Sequence, residues 1–97
     1  MIQATFKKQN DSIYFYKVDG HANFANIGND IVCAGVSSLF ITVTNTLLSF
    51  GRTFERDGGY FILDGSEKER VCLQVLHDGL QMIADEYPDY CKVEVIE

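Results

Sequence analysis

Residues 31 to 51, IVCAGVSSLFITVTNTLLSFG, contain no charged side chain. An uncharged run of this length is long enough to cross a bilayer, or else it is a helix buried inside a soluble fold. Ser37, Ser38, Thr42, Thr44, Asn45, Thr46 and Ser49 break its apolarity, which favours the soluble helix. Within it Val32, Val36, Leu39, Phe40, Val43, Leu47 and Phe50 recur at steps of three, four and one, the spacing of one helical face. Asn29 or Asp30 is placed to cap its start, and Gly51 to stop it.

The flanks of this helix alternate differently. Ile2, Ala4 and Phe6 alternate with Gln3, Thr5 and Lys7, the period of a strand with one buried face. A turn at Gln9-Asn10-Asp11 and a second strand over 12–19 complete a hairpin. A further hairpin spans 53–64 around Asp57-Gly58-Gly59, residues that accept positive φ. Ser66 and Glu69 then have capping-box spacing. They open a second helix with Val71, Cys72, Val75, Leu76, Leu80, Ile83 and Ala84 as its apolar residues, ending before Pro88. A last strand carries Cys91, Val93 and Val95 on one face. The order is ββαββαβ, an α+β single domain over 1–97. Its antiparallel or mixed sheet would carry one long buried helix and a second packed helix. Two helices cannot cover both faces of such a sheet, which leaves surface for a partner subunit.

Ninety-seven residues suffice for one core and no more. The net charge of −6, with no basic cluster beyond Lys7-Lys8, disfavours direct nucleic-acid binding and suits a basic partner. The amino terminus lacks the pattern of a secretory signal, so a cytoplasmic protein without membrane attachment is expected. Cysteines at 33, 72 and 91 form neither a zinc pattern nor a disulfide framework. No metal or other cofactor is implied.

The chemistry gathers between 20 and 37. With Asp30 as cap, Cys33 falls in the first turn, where free amides and the helix dipole favour an anion. A thiol titrates near 8.5, and lowering that by two units takes about 2.7 kcal/mol. A helix terminus supplies at most about 2 kcal/mol. The remainder calls for an imidazolium, and His21 and His77 are the two histidines of the chain. His77 lies in the second helix at the edge of its apolar stripe and reads as a surface residue. His21 opens the loop that leads back to Cys33, twelve positions on. Asp30 stands between two roles, helix cap or orienting group for His21, and the cap is the commoner. Phe24 and Ile27, in a loop between the hinge candidates Gly20 and Gly28, suit a cover over a substrate groove. Ser37, one turn beyond Cys33, suits a hydrogen bond to substrate or to its own helix backbone. Cys72 and Cys91 read as packed core residues.

Gly20-His21-Ala22, followed by Gly28-Asn29-Asp30-Ile31-Val32-Cys33-Ala34 and Val36-Ser37, resembles the G-H-A … G-x-D-I-V-C-A-x-V-S signature of the ribosomal-processing cysteine protease family, Prp. Chain length and the ββαββαβ order resemble that family too. Asn23 and Gly35 depart from it, where glycine and alanine are frequent. The resemblance implies a cytosolic, homodimeric cysteine endopeptidase that removes the amino-terminal extension of the large-subunit ribosomal protein bL27. Cys33 would be its nucleophile and His21 its general base and proton donor. Gly20, Ala22, Phe24, Ile27, Gly28 and Ser37 would contact the substrate. Backbone amides at the helix start, that of Cys33 included, are candidate oxyanion donors. Two other readings compete: a non-catalytic ribosome-associated binding module, and a redox-sensing thiol protein, which lacks an evident resolving cysteine.

Overall fold

The computed structural model describes residues 1–20 and 27–97, with the main chain alone for 27–30. Seven elements follow in the expected order: β1 Ile2–Gln9, β2 Ser12–Asp19, α1 Ile27–Ser49, β3 Thr53–Arg56, β4 Gly59–Ile62, α2 Glu67–Glu86 and β5 Cys91–Ile96. The strands form one mixed sheet in the order β3-β4-β2-β1-β5. Its one parallel pair is β1 with β5, which α2 reaches by crossing from β4 over β2 and β1. Both hairpins turn on two residues with positive φ, Asn10-Asp11 and Asp57-Gly58. Such turns match the strand twist. Gly59 is the first residue of β4 rather than a positive-φ turn position.

The helices cover the sheet face that presents Ile2, Ala4, Phe6, Tyr16 and Ile62. Helix α1 buries Val32, Val36, Val43 and Leu47 there, and α2 buries Leu73, Leu76, Leu80 and Ala84. Phe40 of α1 meets the Tyr16 ring edge-on, with centroids 5.9 Å apart. The Tyr16 hydroxyl shares a buried 2.7 Å hydrogen bond with Thr44 Oγ1. Burial of that ring pushes the phenol up to about 12. The two helices meet where side chains are small: a Cβ on Gly35 would lie 3.2 Å from Ile83 Cδ1.

Three expectations shift. Leu73 is a core residue of α2, while Val71 and Val75 are exposed, because the buried stripe runs Glu69, Leu73, Leu76, Leu80, Ala84. The long helix is buried along one side only; about 28% of its most apolar stretch lies inside the protein. It also starts earlier than a cap at Asn29 or Asp30 allows, since Ile27 already has helical geometry. Gly and Asn cost a helix at most about 1 kcal/mol relative to Ala, so nothing in Gly28-Asn29 stops propagation toward the amino terminus.

Candidate active site

The end of β2 and the first turns of α1 build the site. Strand β2 stops at Asp19, and Gly20 follows at φ +98°. A Cβ at Gly20 would collide with the Met1 carbonyl oxygen. Glycine is therefore needed twice over, for its backbone conformation and for the approach of the chain terminus. Opposite this turn, Gly20, Cys33 and Ser37 line one cleft of about 190 Å³ with Ile2, Val18, Val36 and Phe40. Cys33 is half-buried in it, and Ser37 is exposed at its side. The i, i+4 relation between them puts thiol and hydroxyl on the same helical face. The apolar remainder of the cleft comes from three elements: Ile2 of β1, Val18 of β2, Val36 and Phe40 of α1.

His21, Ala22 and Phe24 lie outside the described residues, as do the side chains of Ile27 and Asp30, while Gly28 is described as part of α1. The structure thus brings Gly20, Cys33 and Ser37 together among the residues expected to act. Asp30 does not cap α1 at the described boundary; it is the fourth residue of a helix that runs from Ile27. Cys33 is correspondingly the seventh, nearly two turns inside. Two consequences correct the expectation from sequence. The dipole effect falls off within the first turn, so less of it reaches the sulfur. The Cys33 amide also lies inside the hydrogen-bonded ladder, beyond the four free N–H groups of a helix start, which removes it as an oxyanion donor.

The other cysteines differ from Cys33 in setting. Cys91 is 2% exposed at the start of β5, and burial pushes its thiol up. Cys72 is half-buried on α2, and all three are free thiols. His77 Nδ1–H donates to Asp78 Oδ1 at 3.0 Å, and the ring packs edge-on against Phe6. The hydrogen bond from His77 holds the Asp78 carboxyl below its usual range. A larger cleft, about 460 Å³, lies between the β1–β2 turn and the start of α2, lined by Gln9, Asn10, Tyr14, Asp64 and Glu69 among others. It contains neither cysteine nor histidine, so the chemistry belongs with the smaller one. Among the described residues no group of three His, Cys, Asp or Glu side chains is placed to hold a metal ion. The two missed features, Leu73 in the core and the earlier helix start, both follow from a period that sequence spacing reads only to within a residue or two.

Residues 1–92 match the family described as Cysteine protease Prp. The chain is 35% identical to the ribosomal processing cysteine protease Prp of Bacillus subtilis over 96% of each protein. It is 33% identical to that of Staphylococcus aureus over 72% of this chain and 74% of the relative. Among solved structures, a Streptococcus mutans protein superposes with a TM-score of 0.79 at 28% identity, covering 99% of this chain and 94% of that one. The S. aureus Prp solved with a covalently linked product peptide has the same fold, with a TM-score of 0.80 at 24% identity over 98% of this chain and 99% of that one.

Proposed function

Since the chain belongs to the Prp family of cysteine proteases, we propose that it is a cytoplasmic, homodimeric endopeptidase that cuts the amino-terminal extension from ribosomal protein bL27. The observation that carries this reading is the cleft in which Cys33, Ser37 and Gly20 converge. His21 is joined to Gly20 by one peptide bond, so the loop that bears the imidazole leaves from the wall of that cleft. The acidity of the chain, −6 overall, suits capture of a basic ribosomal protein.

The chemistry follows from these groups. His21 takes the Cys33 proton, and Sγ attacks the scissile carbonyl carbon. As the tetrahedral intermediate collapses, the C–N bond breaks and His21 passes its proton to the departing amine. The acyl group remains on sulfur as a thioester. Water, deprotonated by His21, then attacks the thioester, releasing the carboxylate product and returning the thiol. Because Cys33 lies deeper in α1 than a first-turn residue, the imidazole carries most of the thiolate stabilisation. Ser37 hydrogen-bonds the bound peptide, Ala22 and Phe24 contact it together with Ile27 and Gly28 at the start of α1, and Asp30 orients His21.

Mass spectrometry of bL27 bearing its extension, incubated with wild type and with Cys33→Ala, tests the reading. Wild type is expected to release the extension as one fragment, and Cys33→Ala to leave the substrate intact while retaining its fold by circular dichroism. Retained cleavage by Cys33→Ala excludes the nucleophile. Failure of wild type to shorten bL27, with cleavage of another extended ribosomal protein, excludes this substrate.

A further inference from the structure

The two faces of the sheet carry charge unequally. Ile2, Ala4, Phe6, Tyr16 and Ile62 point into the helices, so the strand residues that alternate with them stand on the opposite face, away from α1 and α2. The pairing register lines up Phe54, Phe61, Phe15, Lys7 and Ile96 in one row across all five strands of that face. Arg56 of β3, Lys17 of β2 and Lys92 of β5 stand on the same side. With Lys7 they make four of the chain's eight Lys and Arg residues, whereas Asp19 and Glu94 are the face's share of fourteen Asp and Glu residues. A chain of net charge −6 thus turns a locally cationic surface outward.

On this surface rings and cations come in pairs. Lys7 Nζ lies 5.0 Å from the centre of the Phe15 ring, and Arg56 Cζ lies 5.3 Å from that of Phe61. Phe54, directly across from Phe61, keeps an open ring and is 51% exposed. A nucleotide offers the complementary pair, a flat base and a phosphate joined through one sugar. Bases stack on exposed aromatic rings and on guanidinium planes, and phosphates pair with Lys and Arg. An acidic peptide answers the cations but gives the open ring no base to stack on. Lys17 meets Asp19 at 3.5 Å and Arg56 meets Asp57 at 3.8 Å. Both contacts are solvent-exposed, so they hold weakly and a phosphate can replace them.

We propose that this outward face of the sheet binds single-stranded nucleic acid, with a base stacked on Phe54 and phosphates held by Arg56, Lys17 and Lys92. The face lies across the sheet from the Cys33 cleft, and the proposal stands apart from the cleavage assignment. Fluorescence anisotropy tests it with labelled single strands of mixed sequence, about twelve nucleotides long, in RNA and in DNA. A duplex of the same length and a polyglutamate peptide serve as competitors. Wild type is expected to bind a single strand, and to lose roughly twentyfold in affinity between about 50 and 200 mM salt if three phosphates are neutralised. Phe54→Ala should weaken binding by about tenfold. Lys17→Glu and Arg56→Glu should each weaken it by about tenfold or more. Circular dichroism confirms the fold of each variant, and Cys33→Ala should bind as wild type does. Failure of wild type to bind either single strand at the lower salt overturns the proposal. Binding untouched by Phe54→Ala and by both charge reversals, or lost in Cys33→Ala, puts the strand elsewhere and also overturns it. Equal competition by the duplex overturns stacking, and equal competition by polyglutamate overturns the nucleic acid in favour of an acidic protein.

Discussion

Helix α2 is finished in polar and hydrogen-bonded groups at both ends and along its outer side, whereas the described length of α1 is bare of charge up to its stop at Gly51. At the start of α2, Glu69 Oε1 accepts a 3.0 Å hydrogen bond from the Ser66 backbone N–H and another from the Ser66 hydroxyl. At its other end the Tyr87 N–H closes on the Ile83 carbonyl at 2.8 Å, just before Pro88. Its outer side carries Gln74, Asp78, Gln81 and Asp85 in i, i+4 hydrogen-bonded pairs. Helix α1 is stopped locally at Gly51, where φ is +83°, and its outer side is uncharged from Ile31 to Ser49. The difference teaches that α2 is finished within one chain. Helix α1 serves the cleft at its amino-terminal end and still presents an apolar side along its length.

The sharpest way to break this contrast is to remove core contact from α2. Leu80 is fully buried among both helices and the sheet, and Leu80→Ala is expected to cost about 2–5 kcal/mol. Urea denaturation measures it, and a loss below about 1 kcal/mol would mean that α2 packs more loosely than described. An exposed α1 residue such as Thr42, replaced by Ala, should change monomer stability by no more than about 0.5 kcal/mol.

A smaller effect sharpens the comparison at the helix starts. Ser66→Ala should destabilise the protein by about 1 kcal/mol. The Ser66 hydrogen bond holds the Glu69 carboxyl below its usual range. A depressed carboxyl contributes stability above the unfolded-state value, and that contribution disappears as pH falls through the folded-state value. Thermal melts should therefore show the Ser66→Ala deficit shrinking as the medium is acidified through the carboxylate range. Glu69→Gln should flatten the same segment of the stability profile. A deficit of constant size across that range would mean that the carboxylate does not read the cap.

Most of the fold was legible in the sequence because its signals are local. The turn residues Asn10-Asp11 and Asp57-Gly58, the capping pair Ser66 and Glu69, and the stop at Gly51 each act on their nearest neighbours, and each stands where the chain alone puts it. The sheet order was not legible, since the parallel pairing of β5 with β1 depends on a crossover through α2. Nor was the start of α1. Capping residues such as Asn29 and Asp30 tolerate a helical interior, and the spacing of Val32, Val36 and Val43 fixes a face without fixing an end. For the site, the positions of Cys33, Gly20 and Ser37 were readable, and the cleft brings them together. The depth of Cys33 in its helix was not, because it follows from where α1 begins.

The three free thiols allow a direct test of the assignment that matters most, with Cys72 and Cys91 as internal controls. Wild type and His21→Ala would be treated with limiting iodoacetamide at neutral pH, and the rate at each cysteine read by peptide mass spectrometry. The account predicts that Cys33 is alkylated first, that Cys91 is slowest, and that His21→Ala slows Cys33 while leaving the other two unchanged. Equal rates at Cys33 and Cys72, indifferent to His21→Ala, would contradict it.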